Sequence, residues 1–261
     1  MKIIVCVKQV PDTETRIRIS PAGDGIVETD VNWIVSPYDE YAIEEALRIR
    51  EAKGGEVVLV SLGPERALTA LRSGLAMGAD SALHLKDPAF EACDSLATAR
   101  ALAAAIRSLA PFDLVFTGQQ GVGGDHSQVP GLLAELLDLP QVTMAVKVEL
   151  PQEDGKATVT REIEGAHETW DTSLPAVISA QKGLNEPRYA SLKGIMAAKK
   201  KPIEARDAAA LGLAPEALSA RLRVTALELP PPRPPVRMLE GDAETQAKEL
   251  LRLLHEEAKV I

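Results

Sequence analysis

The chain has 261 residues, 46% of them hydrophobic and 26% charged, with Lys+Arg 29 against Asp+Glu 38. That composition belongs to a folded globular chain rather than a disordered one, and a net charge of −9 sets it against phosphate backbones and anionic membrane surfaces, so no nucleic acid partner is expected. Cys6 and Cys93, far apart and in apolar stretches, form neither a disulfide scaffold nor a zinc motif, and no metal site is expected.

In chain order, residues 2–7 (KIIVCV) form a continuous apolar run, the mark of a strand buried on both faces of a parallel sheet. RIRIS, PAGDG and IVETD then predict a surface hairpin between Arg16 and Asp30. SPYDEYAIEEALRIREAKGG predicts a helix, with apolar Ile43, Ala46, Leu47 and Ile49, acids early, bases late and Gly54 at its end. EVVLVSL, SALHL and DLVFTG read as strands and PERALTALRSGLAMG, CDSLATARALAAAIRSLA and HSQVPGLLAELLD as helices, closing with the strand QVTMAVKVEL. Such alternation requires parallel pairing through long right-handed crossovers, hence a doubly wound α/β sheet.

From 151 to 175 the pattern becomes alternation, with Val146, Val148 and Leu150 on one face before it and a turn at Asp154-Gly155. This predicts an antiparallel extension, after which PAVISA returns as a buried strand. In QKGLNEPRYASLKGIMAAKKKPIE, a turn at Asn185-Glu186-Pro187 and a helix over 190–198 put Leu192, Ile195 and Met196 on one side of a protrusion. Lys199, Lys200 and Lys201 then form a solvated last turn or a guide for an acidic partner. The five prolines of ELPPPRPPVRMLEG predict an extended arm, and Asp242 caps a helix striped with Ala247, Leu250, Leu251, Leu254 and Ala258. The stripe either packs back on its own domain or embraces another subunit.

Chemistry concentrates in DLVFTGQQGVGGDHSQVPGLLAELLD. A strand ends at Phe116 or Thr117, a loop with Gly118, Gly121, Gly123 and Gly124 follows, and a helix is expected from about Asp125, which would cap it. Glycines that turn backbone N–H groups inward, next to a helix N-terminus, suit a phosphate at the carboxyl edge of the sheet; a generic glycine-rich turn is the alternative. The loop matches neither a P-loop nor GxGxxG. His126, Ser127 and Gln128 would lie on the first helical turn. Cys6-Val7, Val60 to Gly63 and Ser36 to Asp39 would supply the facing wall. The histidines are scattered, no nucleophile elbow or HExxH is present, and Cys6 reads as a buried inert thiol, so no catalytic residue is assigned. MKIIVCVKQV lacks a signal peptide's longer apolar run, and nothing approaches the roughly 18 apolar residues of a membrane span. A cytoplasmic location, or a mitochondrial matrix one in a eukaryote, without membrane insertion is expected. These residues also allow a stand-alone adenine-nucleotide sensor, against which the arm speaks.

The segments VKQVPDT, SPYDEYAIEEALRI, VSLGP, GLAMGAD, the loop from Gly118 to Pro130 and above all LNEPRYASLKGIMAAKKKPIE make the chain resemble the beta subunits of electron transfer flavoproteins. The resemblance implies a Rossmann-like adenine-nucleotide-binding core over 1–225, a partner-recognition loop near 184–201, and an arm over 226–261 packing on an alpha subunit. It implies a heterodimer in which the alpha subunit holds most of the FAD, while this chain holds a structural AMP and helps enclose the flavin. The subunit would be an electron carrier without bond-making residues. Electrons would pass from acyl-CoA and related dehydrogenases, as in fatty acid β-oxidation, to a quinone oxidoreductase. AMP contacts carried over by position are Cys6, Ser36, Pro37, Tyr38, Asp39, Leu62, Gly118, Gln119, Gln120, Gly121, Val122, Gly123, Gly124, Asp125, His126, Ser127, Gln128 and Val129. Docking contacts are Tyr189, Leu192, Ile195 and Met196. Two departures accompany the likeness. Many AMP-binding members carry acids at Gly123-Gly124, and Gly124-Asp125 with Gln128-Val129 is similar to bifurcating members that hold a second FAD there. At Thr13 some members place a tyrosine over the flavin.

Overall fold

The structure, a computed structural model, describes residues 1–150 and 155–261. β1 (Lys2–Cys6) leads to an antiparallel pair, β2 (Gln9–Pro11) and β3 (Trp33–Val35), then α1 (Pro37–Lys53), β4 (Glu56–Leu62), α2 (Ala67–Met77), β5 (Ser81–Leu85), α3 (Ser95–Ser108), β6 (Leu114–Gly118), α4 (Val129–Leu137) and β7 (Gln141–Glu149). β8 (Lys156–Ile163), β9 (Ala166–Ser173), β10 (Ala176–Ala180), α5 (Leu192–Ala198), β11 (Ile203–Arg206), α6 (Pro215–Leu218) and α7 (Ala243–Arg252) complete the chain.

The main sheet runs β11-β5-β4-β1-β6-β10-β7-β8-β9, parallel up to β7 and antiparallel over its last two pairings. β1 is central because both its faces must be covered. Ile3 and Val5 pack with Leu59, Phe116 and Ile178 under α1 and α2, while Ile4 and Cys6 pack with Val60, Val115 and Val177 under α3 and α4. Each fully buried Ile or Leu contributes about 1.5–3 kcal/mol. From β1 the chain builds outward through β4 and β5, then crosses to β6 on the other side. The carboxyl ends of β1 and β6 therefore flank a topological switch point, where open α/β sheets hold ligands.

Several sequence expectations change in detail. The hairpin between Arg16 and Asp30 reduces to a single bridge, Ile19 to Ile26. α2 starts at Ala67 rather than Pro64, and α5 at Leu192, because the Ser191 side chain accepts the Gly194 N–H and fixes the cap there. The antiparallel extension forms as β8 and β9, joined through Glu164-Gly165, with Gly165 at φ 73°. The other expected turn, at Asp154-Gly155, lies partly outside the described residues. β11, unforeseen, adds to the β5 edge.

Lys201 is not a solvated residue. Its ammonium donates to the carbonyls of Leu75, Gly78 and Ala79 at the end of α2, while Arg72 from α2 donates to Ala198 and Lys201 carbonyls at the end of α5. Lys199 and Lys200 are exposed. Asp242 caps α7 as expected, accepting the Thr245 N–H. The helix does not pack back on its own domain, since Ala247, Leu250, Leu251 and Ala258 stay exposed and Leu254 is half-buried.

Candidate nucleotide cradle and docking surface

Cys6, Leu62 and Gly118 stand at the carboxyl ends of β1, β4 and β6, and Ser36 to Asp39 open α1 beside them. Pro37 starts α1 because its fixed φ and missing N–H suit the first helical position. Asp39, two residues on, is buried, and its carboxylate accepts the Lys8 N–H at 2.7 Å and the Gly118 N–H at 2.9 Å. It thus ties the loops that leave β1 and β6 to α1. Burial raises the Asp39 carboxyl to about 7 against these two donors and the nearby Lys8 charge, with a smaller upward push from Glu40. Burial and the Asp39 charge together push the Cys6 thiol up to about 12, so it stays protonated at neutral pH and is a poor nucleophile.

Gly118 is required by this clamp, since a Cβ on it would stand 2.4 Å from Asp39 Oδ1 and 2.7 Å from Tyr38 Cβ. Gln119 turns inward, its N–H donating to the Ala180 carbonyl and its Oε1 accepting from Ser179 Oγ and the Met144 N–H. Ser36 Oγ reaches the Gln120 carbonyl at 3.4 Å. Beyond Gln120 the loop closes on itself. Gly124 and Asp125 N–H groups donate to the Gly121 carbonyl, Gln120 Nε2 donates to Asp125 at 2.9 Å, and Ser127 Oγ donates to Gln120 Oε1 at 2.8 Å.

This knot corrects the expected helix start. Asp125 does not cap a helix: it holds Gln120 at φ 49°, and α4 begins four residues later at Val129 with Pro130 in its first turn. His126 and Ser127 are exposed loop residues, and Gln128 occupies the cap position without a side-chain cap bond. The loop consequently presents more free backbone than a helix start would. Among the described residues, the N–H groups of Val122, Gly123, His126, Ser127 and Gln128 have no acceptor within the chain. Five main-chain donors on one loop, next to the amino end of α4, are groups from which a bound anion would accept hydrogen bonds.

Lys8 and Thr117, which the sequence did not assign to the site, belong to the same edge, as does Ser61 from the expected wall Val60 to Gly63. The Lys8 side chain lies against the glycine turn, its Nζ 2.9 Å from where a Cβ on Gly121 would stand and 3.8 Å from that on Gly124. Its charge is felt by Asp39, but among the described residues no carboxylate lies within ion-pair distance of its Nζ. The buried hydroxyls of Thr117 and Ser61, at the ends of β6 and β4, have no hydrogen-bond partner among the described residues. A lysine directly after a buried strand, and a lone hydroxyl residue ending an otherwise apolar one, are the signals by which they are found.

The residues expected to dock a partner sit apart, on the segment that crosses α1 and packs α5 on α2. Arg188 anchors its root, with bonds to the buried Glu44 carboxylate at 2.8 and 3.0 Å and to Glu51 at 2.5 and 3.1 Å, while Asn185 donates to Glu45 and to the Tyr41 carbonyl. The donors from Arg188 and Arg48 hold Glu44 below the usual carboxylate range although burial opposes them. Past this anchor the apolar side chains are left in solvent: Tyr189 is 99% exposed, Leu192 84%, Met196 63% and Ile195 44%. A cluster of this kind on a pinned segment is a candidate interaction surface.

No helix among the described residues is long and apolar enough to cross a membrane, and no group of three or more His, Cys, Asp or Glu there is placed to hold a metal. The family model for the electron transfer flavoprotein domain matches residues 24–211. The electron transfer flavoprotein subunit beta of Bacillus subtilis (strain 168) is 41% identical over 264 residues, covering 100% of both chains. That of Sus scrofa is 42% identical over 236 residues, 89% of this chain and 90% of its own. The caffeyl-CoA reductase-Etf complex subunit CarD of Acetobacterium woodii is 41% identical over 218 residues, 83% and 82% of the two chains. The chain belongs to the electron transfer flavoprotein family.

Proposed function

We propose that this chain is the nucleotide-binding, partner-docking half of a heterodimeric electron transfer flavoprotein, and that the loop from Gly118 to Val129 holds the phosphate of a structural AMP. The observation that carries the reading is the row of unpaired N–H groups at Val122, Gly123 and His126 to Gln128, with the Lys8 ammonium against the same turn. A phosphate would complete these donors and pair that cation. The orphaned hydroxyl of Thr117 and the small cradle at Gly118 fit a ribose or base edge beside it. Cys6, Ser36, Pro37, Tyr38, Asp39 and Leu62 supply the remaining wall, Asp39 by holding the loop rather than by touching the ligand.

FAD, held mainly by the alpha subunit, supplies the redox chemistry when bound, and this chain helps to enclose it. Its own residues bind, orient and dock. Tyr189, Leu192, Ile195 and Met196 engage acyl-CoA and related dehydrogenases, from which electrons go on to a quinone oxidoreductase, and the arm over 226–261 packs on the alpha subunit. Its place is the cytoplasm of a bacterium or a mitochondrial matrix. A second reading, a bifurcating subunit with a second FAD in this site, is favoured by the open turn at Gly123, where a Cβ would meet nothing within 4 Å. Mass spectrometry of nucleotides released from the denatured heterodimer tests both. FAD and AMP in equal amounts support the first, FAD alone in double amount supports the second, and the absence of any nucleotide on this subunit overturns both.

A further inference from the structure

The root of the docking segment and the first turn of α1 enclose a cleft of about 200 Å³, lined by Pro37, Glu40, Tyr41, Pro187, Arg188 and Tyr189. It is smaller than the roughly 300–1,000 Å³ that holds a cofactor or drug-sized ligand, and on the scale of one long side chain. Two prolines make its walls stiff. Two of the three tyrosines of the chain line it, in a sequence with only 3% aromatic residues.

Glu40 is the charge inside it that has no counterpart. The side chain is half-buried, and burial alone lifts its carboxyl above the ordinary value; no hydrogen bond or ion pair within the described residues offsets the lost water. Arg188, the cation on the cleft wall, is committed elsewhere. Four of its five guanidinium N–H groups go to Glu44 and Glu51, and withdrawing them would strand a Glu44 carboxylate whose side chain is only 3% exposed. The cleft lining holds one acid, Glu40, and one cation, Arg188, whose charge is already matched by Glu44 and Glu51, so the unmatched charge there is negative. An anion is repelled there, and a neutral group would desolvate Glu40 further without pairing it. A cation gains both the carboxylate and the tyrosine faces.

We propose that this cleft receives a lysine or arginine side chain of the docking dehydrogenase, with Glu40 as its counter-charge and Tyr41 and Tyr189 as its walls. The inference rests on the docking reading above. Its support is continuity: Tyr189 belongs to both the cleft and the exposed apolar cluster, and Leu192 follows three residues later. An apolar knob would give the contact its affinity, and the cleft would fix its orientation by charge.

The test uses the intact heterodimer and its reduction by an acyl-CoA dehydrogenase at several salt concentrations. Glu40→Gln is expected to raise KM for the flavoprotein about three- to tenfold at low salt, with kcat unchanged, and to flatten the salt dependence. Leu192→Ala is expected to raise KM at every salt concentration. A raised KM in Leu192→Ala together with parental KM and salt slope in Glu40→Gln overturns the cleft proposal and leaves the docking reading standing. Parental behaviour of both variants removes the docking reading and the cleft with it. Loss of bound nucleotide from Glu40→Gln also overturns the proposal, by assigning Glu40 to the cradle.

Discussion

Asp39 combines two conditions that rarely coexist, full burial and a carboxylate whose two oxygens both serve main-chain donors. Its folded pKa, about 7, lies above the ordinary 3.8, so between those values the folded protein binds a proton that the unfolded chain releases. The contribution of this group is therefore fully present at low pH, declines as pH rises toward 7, and is constant above. Urea unfolding of the parent and of Asp39→Asn from about pH 5 to about pH 8 measures it. The stability advantage of the parent over the variant is expected to shrink as pH rises; an advantage that grows with pH would mean that the donors outweigh burial. Gly118 gives a second comparison. Gly118→Ala forces a Cβ against Asp39 and Tyr38 and is expected to cost about 1–3 kcal/mol and to release the nucleotide. Gly123→Ala, with φ +87° but open space around it, is expected to cost about 1 kcal/mol and keep the nucleotide. Thermal unfolding and the retained nucleotide check the pair.

At the scale of elements, α2 and α5 hold each other by exchanged caps, Lys201 on the carbonyls ending α2 and Arg72 on those ending α5. Burial lowers the Lys201 pKa, so the carbonyl acceptors replace only part of the water that its ammonium loses. Lys201→Met is expected to destabilise by about 1–2 kcal/mol, and Lys200→Met, on an exposed neighbour, by less than about 0.5 kcal/mol, in denaturant titrations. The three lysines read alike in the sequence because their difference is set by where the chain crosses α2, not by local pattern. The same limit hid β11: IEAR is too short to alternate legibly, and only the free edge of β5 makes it a strand. What periodicity can carry was legible. The apolar runs of β1, β4, β6 and β10 gave a parallel sheet, and the glycine cluster marked the loop at its carboxyl edge. The start of α4 was misplaced because Asp125 has the chemistry of a cap. The better signal was Pro130, which belongs in a first turn and so sets the helix at Val129, leaving Asp125 for Gln120.

Over the whole molecule, buried apolar side chains concentrate in the α/β core, while the last forty residues keep theirs in water. Leu222, Val224, Leu229, Val236, Met238, Leu250 and Leu251 are all exposed, and the arm touches the body at few points: Arg221 and Leu222 N–H groups on Asp94, and the Leu227 N–H on the Gly23 carbonyl. These bonds are solvent-exposed and contribute little to core stability. The α7 charges are paired locally, Lys248 with Glu244 and Arg252 with Glu249 and Glu256, so the helix holds its own polar face while its leucines lack cover. Core stability and partner affinity should then separate. Truncation after residue 225 is expected to leave the unfolding midpoint of the isolated subunit within about 2 °C of the parent, since no core residue is removed. The same truncation, co-expressed with the alpha subunit, is expected to abolish a stable heterodimer in size-exclusion chromatography, because the role proposed for the arm is to supply apolar area to that association. A truncated chain that still co-elutes with the alpha subunit would move the interface to the sheet and leave the arm without its assigned role. A truncated chain that unfolds before the parent would show that the arm stabilises its own domain.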